Sequence, residues 1–165
     1  MYHVAAGVGI EGNNSSALPF EKSFFAGGAN SLRGWVARTL GPGSYKNTIN
    51  IEQSGDLKME ANIEIRSSII KILEGAAFVD AGNIWTRKFD QARPGSQIEW
   101  NTIMNQLAIA GGLGLRFDFS FFILRLDGAV KLHDPGLDLE DRWVYSKQKF
   151  QGKDITLNLA IGYPF

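Results

Sequence analysis

The sequence predicts an all-β protein: an antiparallel transmembrane β-barrel wall of about six strands, incomplete on its own, with one long loop. Two segments carry that reading. From Asp56 to Arg66 the chain runs D-L-K-M-E-A-N-I-E-I-R, polar or charged at every even position and Leu, Met, Ala or Ile at every odd one. Successive strand side chains point to opposite faces, so this strand has one apolar side and one charged side. From Asp154 to Phe165 the pattern repeats, with Ile155, Leu157, Leu159, Ile161, Tyr163 and Phe165 opposing Thr156, Asn158, Ala160 and Gly162. About ten alternating residues, tilted, cross the hydrocarbon core of a bilayer.

The remaining strands follow in order, separated by turn-forming residues. The first, about Tyr2 to Glu11, places Val4, Ala6, Val8 and Ile10 on one face. A loop rich in Gly, Asn and Ser then runs from Gly12 to about Gln53. The Asp56 strand continues to about Ile69, and Gly75 to Trp85 forms the next, with Asp80 sharing a face with Phe78 and Gly82. After a polar loop around Gln91 to Trp100, two strands run from about Gln106 to Phe119 and from Phe121 to Leu132, turning at Ser120. In the former, Gly112, Gly114, Arg116 and Asp118 share a face; in the latter, Arg125, Asp127 and Lys131 do. Charges of both signs along one wall suggest a water-filled lumen.

Long polar loops alternate with short turns, as in barrels whose long loops face outside and whose short turns face the periplasm. The Gly12 to Gln53 loop is then extracellular or folds back into the lumen. Six strands are too few to close, since the smallest single-chain barrels have about eight, and an open edge in lipid leaves backbone groups unpaired. The whole chain, residues 1–165, reads as one domain: either the C-terminal portion of a longer barrel or a wall completed by another copy or chain.

Composition narrows the function classes. The formal net charge is +0, which offers no basic face for nucleic acid. No run of about eighteen apolar residues exists for a transmembrane helix, a test to which alternating barrel strands are invisible. Cysteine is absent, so neither disulfides nor thiolate metal sites arise. His3 and His133 lack ligand spacing, so no metal or other cofactor is expected. There is no nucleophile elbow, and Gly111-Gly112-x-Gly114 lies inside a strand without a following helix, so no phosphate cradle is expected either. No signal peptide precedes Tyr2, which for an exported protein implies further chain upstream.

Within the loop, residues 24 to 43 read F-F-A-G-G-A-N-S-L-R-G-W-V-A-R-T-L-G-P-G. Gly27, Gly28, Gly34, Gly41 and Gly43 permit positive φ and Pro42 fixes a turn, so the segment is shaped rather than random. Arg33 then offers five donors on a rigid bend. Its natural partner is a lumen-facing carboxylate, and Glu64 and Asp80 are best placed.

At these residues the chain resembles the outer-membrane assembly-factor superfamily, the bacterial surface antigen barrels of the BamA and TamA type. The family's sixth-loop motif is Arg-Gly-Phe or Arg-Gly-Tyr after a Gly-Gly and a Ser; here Arg33-Gly34-Trp35 follows Gly27-Gly28 and Ser31. The likeness extends to F-V-D-A-G-N-I-W at 78–85, G-L-G-L-R-F-D at 112–118, R-L-D at 125–127 and the terminal aromatic. G-D-L-K-M-E-A-N-I-E-I-R with F-V-D-A-G-N-I-W looks most like the TamA-like branch of Bacteroidetes-type bacteria.

The resemblance implies the last six strands of a barrel of about sixteen in the outer membrane of a Gram-negative cell, the sixth loop tucked into the lumen and its Arg on acids of the next two strands. It further implies a last strand that pairs weakly with the first and opens laterally to template client strands by edge pairing. Leu159, Ile161, Gly162, Tyr163 and Phe165 would form that gate and its C-terminal signal, with Gly162 allowing a bend. Implied partners are outer-membrane lipids, unfolded outer-membrane protein clients, and missing N-terminal strands and periplasmic POTRA domains of the same protein. The expected activity is non-enzymatic insertion or translocation. Two alternatives stand beside it: the membrane anchor of a patatin-like phospholipase, and a soluble lipocalin-like barrel with its apolar faces turned inward to a ligand.

Overall fold

The computed structural model describes residues 1–11, 18–47, 51–144 and 155–162. Six antiparallel strands form one sheet in chain order: β1 (Tyr2–Val8), β2 (Leu57–Ile70), β3 (Leu73–Trp85), β4 (Ala108–Asp118), β5 (Ile123–His133) and β6 (Ile155–Gly162). Every neighbouring pair is antiparallel and consecutive in sequence, as in an up-and-down barrel wall. The connections β2–β3 and β4–β5 are tight, and the others are long.

Several boundaries differ from the sequence reading; β3, for one, starts at Leu73 rather than Gly75, where Leu73 and Glu74 pair with β2 and β4. β1 stops at Val8 rather than Glu11 because its partner begins at Leu57; only the Gly9 N–H extends the ladder, donating to the Asp56 carbonyl at 2.7 Å. β4 starts at Ala108 because Ile103–Gln106 forms a helical turn. There the Gln106 side chain accepts from the Trp85 indole at 2.9 Å and the Glu99 N–H at 3.2 Å. β5 starts at Ile123 because residues 119 to 122 are spent on a turn. Ser120 has φ 70°, and the Phe119 N–H reaches the Phe122 carbonyl at 3.0 Å. Tyr163 and Phe165, expected in the last strand, lie outside the described residues.

The two faces of the sheet divide as alternation demands. One face presents Ile63, Ile65, Leu113, Leu126, Leu157, Leu159 and Ile161, all exposed, with Leu157 at 82%. Exposed apolar residues in such continuous rows mark a surface made for lipid. The lipocalin-like alternative requires this face to be the interior. The structure overturns it, because the loop covers the opposite face.

The covered face is built on small residues. Across the strands the register aligns Arg66, Ala76, Gly114, Asp127 and Asn158 in one row. Glu64, Phe78, Gly112, Ala129 and Thr156 form the next, then Asn62, Asp80, Ala110 and Lys131. Gly and Ala in the middle of each row leave a hollow that admits another segment of backbone. Residues 24 to 40 fill it. Ala26, Leu32, Trp35 and Leu40 of the loop, with Phe24 packed alongside, meet Ile84, Ala108 and Ala110 of the sheet in a single apolar cluster. The expected water-filled wall is therefore corrected: Asp80, Arg116 and Asp127 are 0%, 1% and 2% exposed, because the loop has replaced water over them.

Candidate functional site

Four glycines shape the loop before any side chain acts. Gly27, Gly28, Gly41 and Gly43 have φ of 100°, 94°, 81° and 56°, values that an L side chain resists. Gly34, expected to be a further positive-φ position, is not one. It is required by close approach, since a Cβ there would lie 2.8 Å from the Ala110 Cβ. Pro42 is fully buried, and the neighbouring Gly43 N–H donates to the Ile84 carbonyl at 2.7 Å. Asn83 finishes this arm, donating to the Gly43 carbonyl at 2.9 Å and the Gln106 carbonyl at 2.5 Å.

This frame delivers Arg33 to two acids. Its Nε and Nη2 donate to the two oxygens of Asp80 at 2.8 and 2.7 Å, a bidentate fork, and its backbone N–H adds a third bond to Asp80 at 3.1 Å. Nη1 donates to Glu64 at 2.6 Å. The guanidinium carbon stands 3.4 Å from the centroid of the Phe78 ring, adding a cation–π contact. Trp35, next but one in the motif, is buried in the apolar cluster and lies under the Lys131 ammonium, 4.9 Å from its ring centroid.

Arg33, Glu64 and Asp80 are thus brought together, and the cluster is wider than those three. Arg116 donates to Glu64 at 2.9 and 3.3 Å and to Asp127 at 2.5 Å. Arg66 donates to Glu64 at 2.7 Å, and Arg125 to Asp127 at 3.3 Å and to the Ala29 carbonyl of the loop at 3.1 Å. Asn62 donates to Asp80 at 2.9 Å and to the Ser31 carbonyl at 2.9 Å, and the Ser31 hydroxyl donates to Glu60 at 2.7 Å. Arg33 and Arg116 are offset by Glu64, Asp80 and Asp127, with Arg66 and Arg125 at the rim. Desolvated charges persist only when paired in this manner.

Alternation alone signals which face Arg116, Arg125 and Asp127 occupy; their place in the cluster depends on register. Arg116 and Glu64 sit two strands apart, with Ala76 and Gly114 in the row between their own, so the pair forms across small residues. Leu159 and Ile161 of the expected gate strand lie on the lipid-type face. A Cβ at Gly162 would meet nothing within 4 Å. What this geometry holds is a loop.

A family model described as the Omp85 superfamily domain matches residues 1–152. Among solved structures the chain is similar to BamA from Haemophilus ducreyi lacking POTRA domains 1-3, with a TM-score of 0.54 and 18% identity. That match covers 88% of this chain and spans 28% of the other. No curated protein sequence matches the chain.

Proposed function

Because the chain belongs to the Omp85 superfamily, barrels of the bacterial outer membrane, we propose that it is the C-terminal wall of a barrel that inserts or translocates outer-membrane proteins without enzymatic chemistry. The single observation that carries this is the seat of Arg33: a buried fork on Asp80 and Glu64 that fixes a long loop against the inner face of a lipid-type sheet. A loop whose seat combines an apolar cluster with a buried charge pairing is loosened when that pairing is broken. Its natural consequence is control of the wall beside it.

Both edges of the sheet, β1 and β6, lack a second neighbour among the described residues. In lipid each unpaired backbone group costs several kcal/mol, so other strands must cover them. We assign these to upstream strands of the same polypeptide, joined to POTRA domains. The seam between β6 and the first of those strands is the lateral gate, and clients are unfolded outer-membrane proteins that pair with the freed edge. In this reading the long connections face outward and the tight turns face the periplasm, and the two motifs at 55–66 and 78–85 support assignment to the TamA-like branch.

Charge reversal tests this reading. Arg33→Glu in the native polypeptide, reconstituted in vesicles, is expected to lower barrel stability and to slow assembly of a client barrel, and Asp80→Arg in the same chain to restore part of both. If Arg33→Glu leaves both unchanged, the lock does not exist.

A further inference from the structure

Arg33 uses its side chain and its main chain on opposite parts of the sheet. The guanidinium holds β2 and β3 through Glu64 and Asp80, while its carbonyl accepts a bond from the Asn158 amide of β6 at 2.8 Å. The next carbonyl, Gly34, accepts from the Thr156 hydroxyl at 3.0 Å. The loop therefore runs across the sheet from β2 and β3 to β6, lying over β4 and β5 on the way. We propose that Thr156 and Asn158 are positioning residues that clasp the seated loop, so that the Arg33 ion pair governs how firmly the last strand is held. This rests on the reading of β6 as the gate strand.

The inner face of β6 is Thr156, Asn158, Ala160 and Gly162. Both of its polar side chains are spent on two consecutive loop carbonyls, and neither on the cross-strand partner that the register supplies, Ala129 for Thr156 and Asp127 for Asn158. Because the acceptors are main chain, what β6 reads is the position of the loop and not its side chains. The other half of the strand has nothing comparable. Ala160 offers no donor, and Gly162 is open on its inner side. β6 is thus held by ladder plus clasp over its first half and by the β5 ladder over its second. It opens from the Gly162 end, and the Thr156 end follows only when the loop leaves its seat.

The chemistry is that of two neutral hydrogen bonds, each with a modest net worth, on a strand whose ladder has one known neighbour. Local opening of such an element is read by amide exchange. Thr156→Val keeps the branched shape and Asn158→Leu the approximate volume; both remove the donor. In the native polypeptide in bilayers, the double variant is expected to raise amide exchange in residues 155–162 by about tenfold or more, with β2, β3 and β4 unchanged. Arg33→Lys, which leaves the cation but loses the fork, is expected to raise β6 exchange likewise, and to add nothing further in the double-variant background.

Exchange in β6 within twofold of the parent for the double variant overturns the clasp, as does an Arg33→Lys effect that simply adds to it. Folding is checked by heat-modifiable mobility. If the double variant does not fold, Thr156→Val alone decides, with a rise of about fivefold expected and no change overturning. A client-assembly measurement on the same variants separates the two readings: raised β6 exchange with unaltered assembly keeps the clasp and removes the gate.

Discussion

The Arg33 guanidinium stands over the Phe78 ring, 3.4 Å from carbon to centroid, while its edge faces the two oxygens of Asp80. A planar cation is thereby defined from below by an aromatic face and from the side by a planar anion. Only a guanidinium satisfies both at once, because an ammonium has neither a plane to stack nor a fork to pair. Opposite Phe78 in the register is Gly112, where a Cβ would lie 2.6 Å from the ring. The ring, and through it the arginine, holds its position because that neighbour has no side chain.

Arg33→Lys is accordingly a severe change at this position. It removes the fork and leaves Asp80, 0% exposed, with an incompletely paired carboxylate. Breaking a buried pair by weakening one partner costs about 3–5 kcal/mol when the partner is lost outright, and Lys is expected to approach the lower figure. Urea unfolding of the barrel in bilayers checks it. A loss below about 1 kcal/mol would mean the ion pair is solvated.

Two glycines on opposite faces of adjacent strands should respond in opposite ways. A Cβ on Gly114 would collide with the Asp127 carboxylate and come within 2.6 Å of Arg116 Nη1, whereas a Cβ on Gly128 would find Ile155 and Leu157 at 3.8 Å, ordinary contact on the lipid-type face. Gly114→Ala is expected to destabilise by about 1–3 kcal/mol, through overpacking of a salt-bridged site. Gly128→Ala should be neutral or slightly stabilising, since it adds apolar surface and removes backbone freedom from the unfolded chain. The pair is compared in the same unfolding measurement, and equal effects would contradict the assignment of faces.

How much of this was legible in the sequence depended on period. The alternation through Asp56–Arg66 and around Asp80 assigns a face to Glu64 and Asp80 without knowledge of register, and the glycines around Arg33 announce a shaped loop. The dryness of the cluster was not legible, because it arises from residues 24 to 40 lying over Ala110, Gly112 and Gly114 of β4 and Ala129 of β5, which share a hollow only once those strands are in register. Asn83 was equally hidden: it falls on the wrong parity for the inner face, and is buried because the Gly41–Gly43 arm and Gln106 reach over the end of β3. The donors of Thr156 and Asn158 carry no local signal, since their acceptors lie more than 120 residues away.

Leu113 is 71% exposed in the middle of the apolar face. In a bilayer, Leu113→Arg at that depth is expected to cost about 2–4 kcal/mol, whereas on a protein surface facing water the same change would cost almost nothing. Partitioning between folded and urea-unfolded states in lipid vesicles measures the difference. A cost near zero would remove this face from the membrane.

At the rim formed by the long connections, Glu11 accepts from Arg87 at 3.0 Å and pairs with the Lys88 ammonium, tying the end of β1 to the β3–β4 connection. The hydrogen bond from Lys88, with a backbone bond and the two nearby cations, holds the Glu11 carboxyl below its ordinary 4.5, against a smaller opposing effect of burial. A depressed carboxyl value means the folded form binds its proton less readily than the free chain does. The tie is therefore fully present above pH 4.5 and is lost as pH falls through the lower folded value. Ile10 and Phe89 are both exposed beside it and accept spin labels without disturbing the core. The distance between labels there is expected to be narrowly distributed at neutral pH and to broaden on acidification with a midpoint below 4.5. Glu11→Gln should give the broad distribution at every pH. A midpoint above 4.5, or a broad distribution at pH 7 in the parent, would show that these side chains do not hold the rim together.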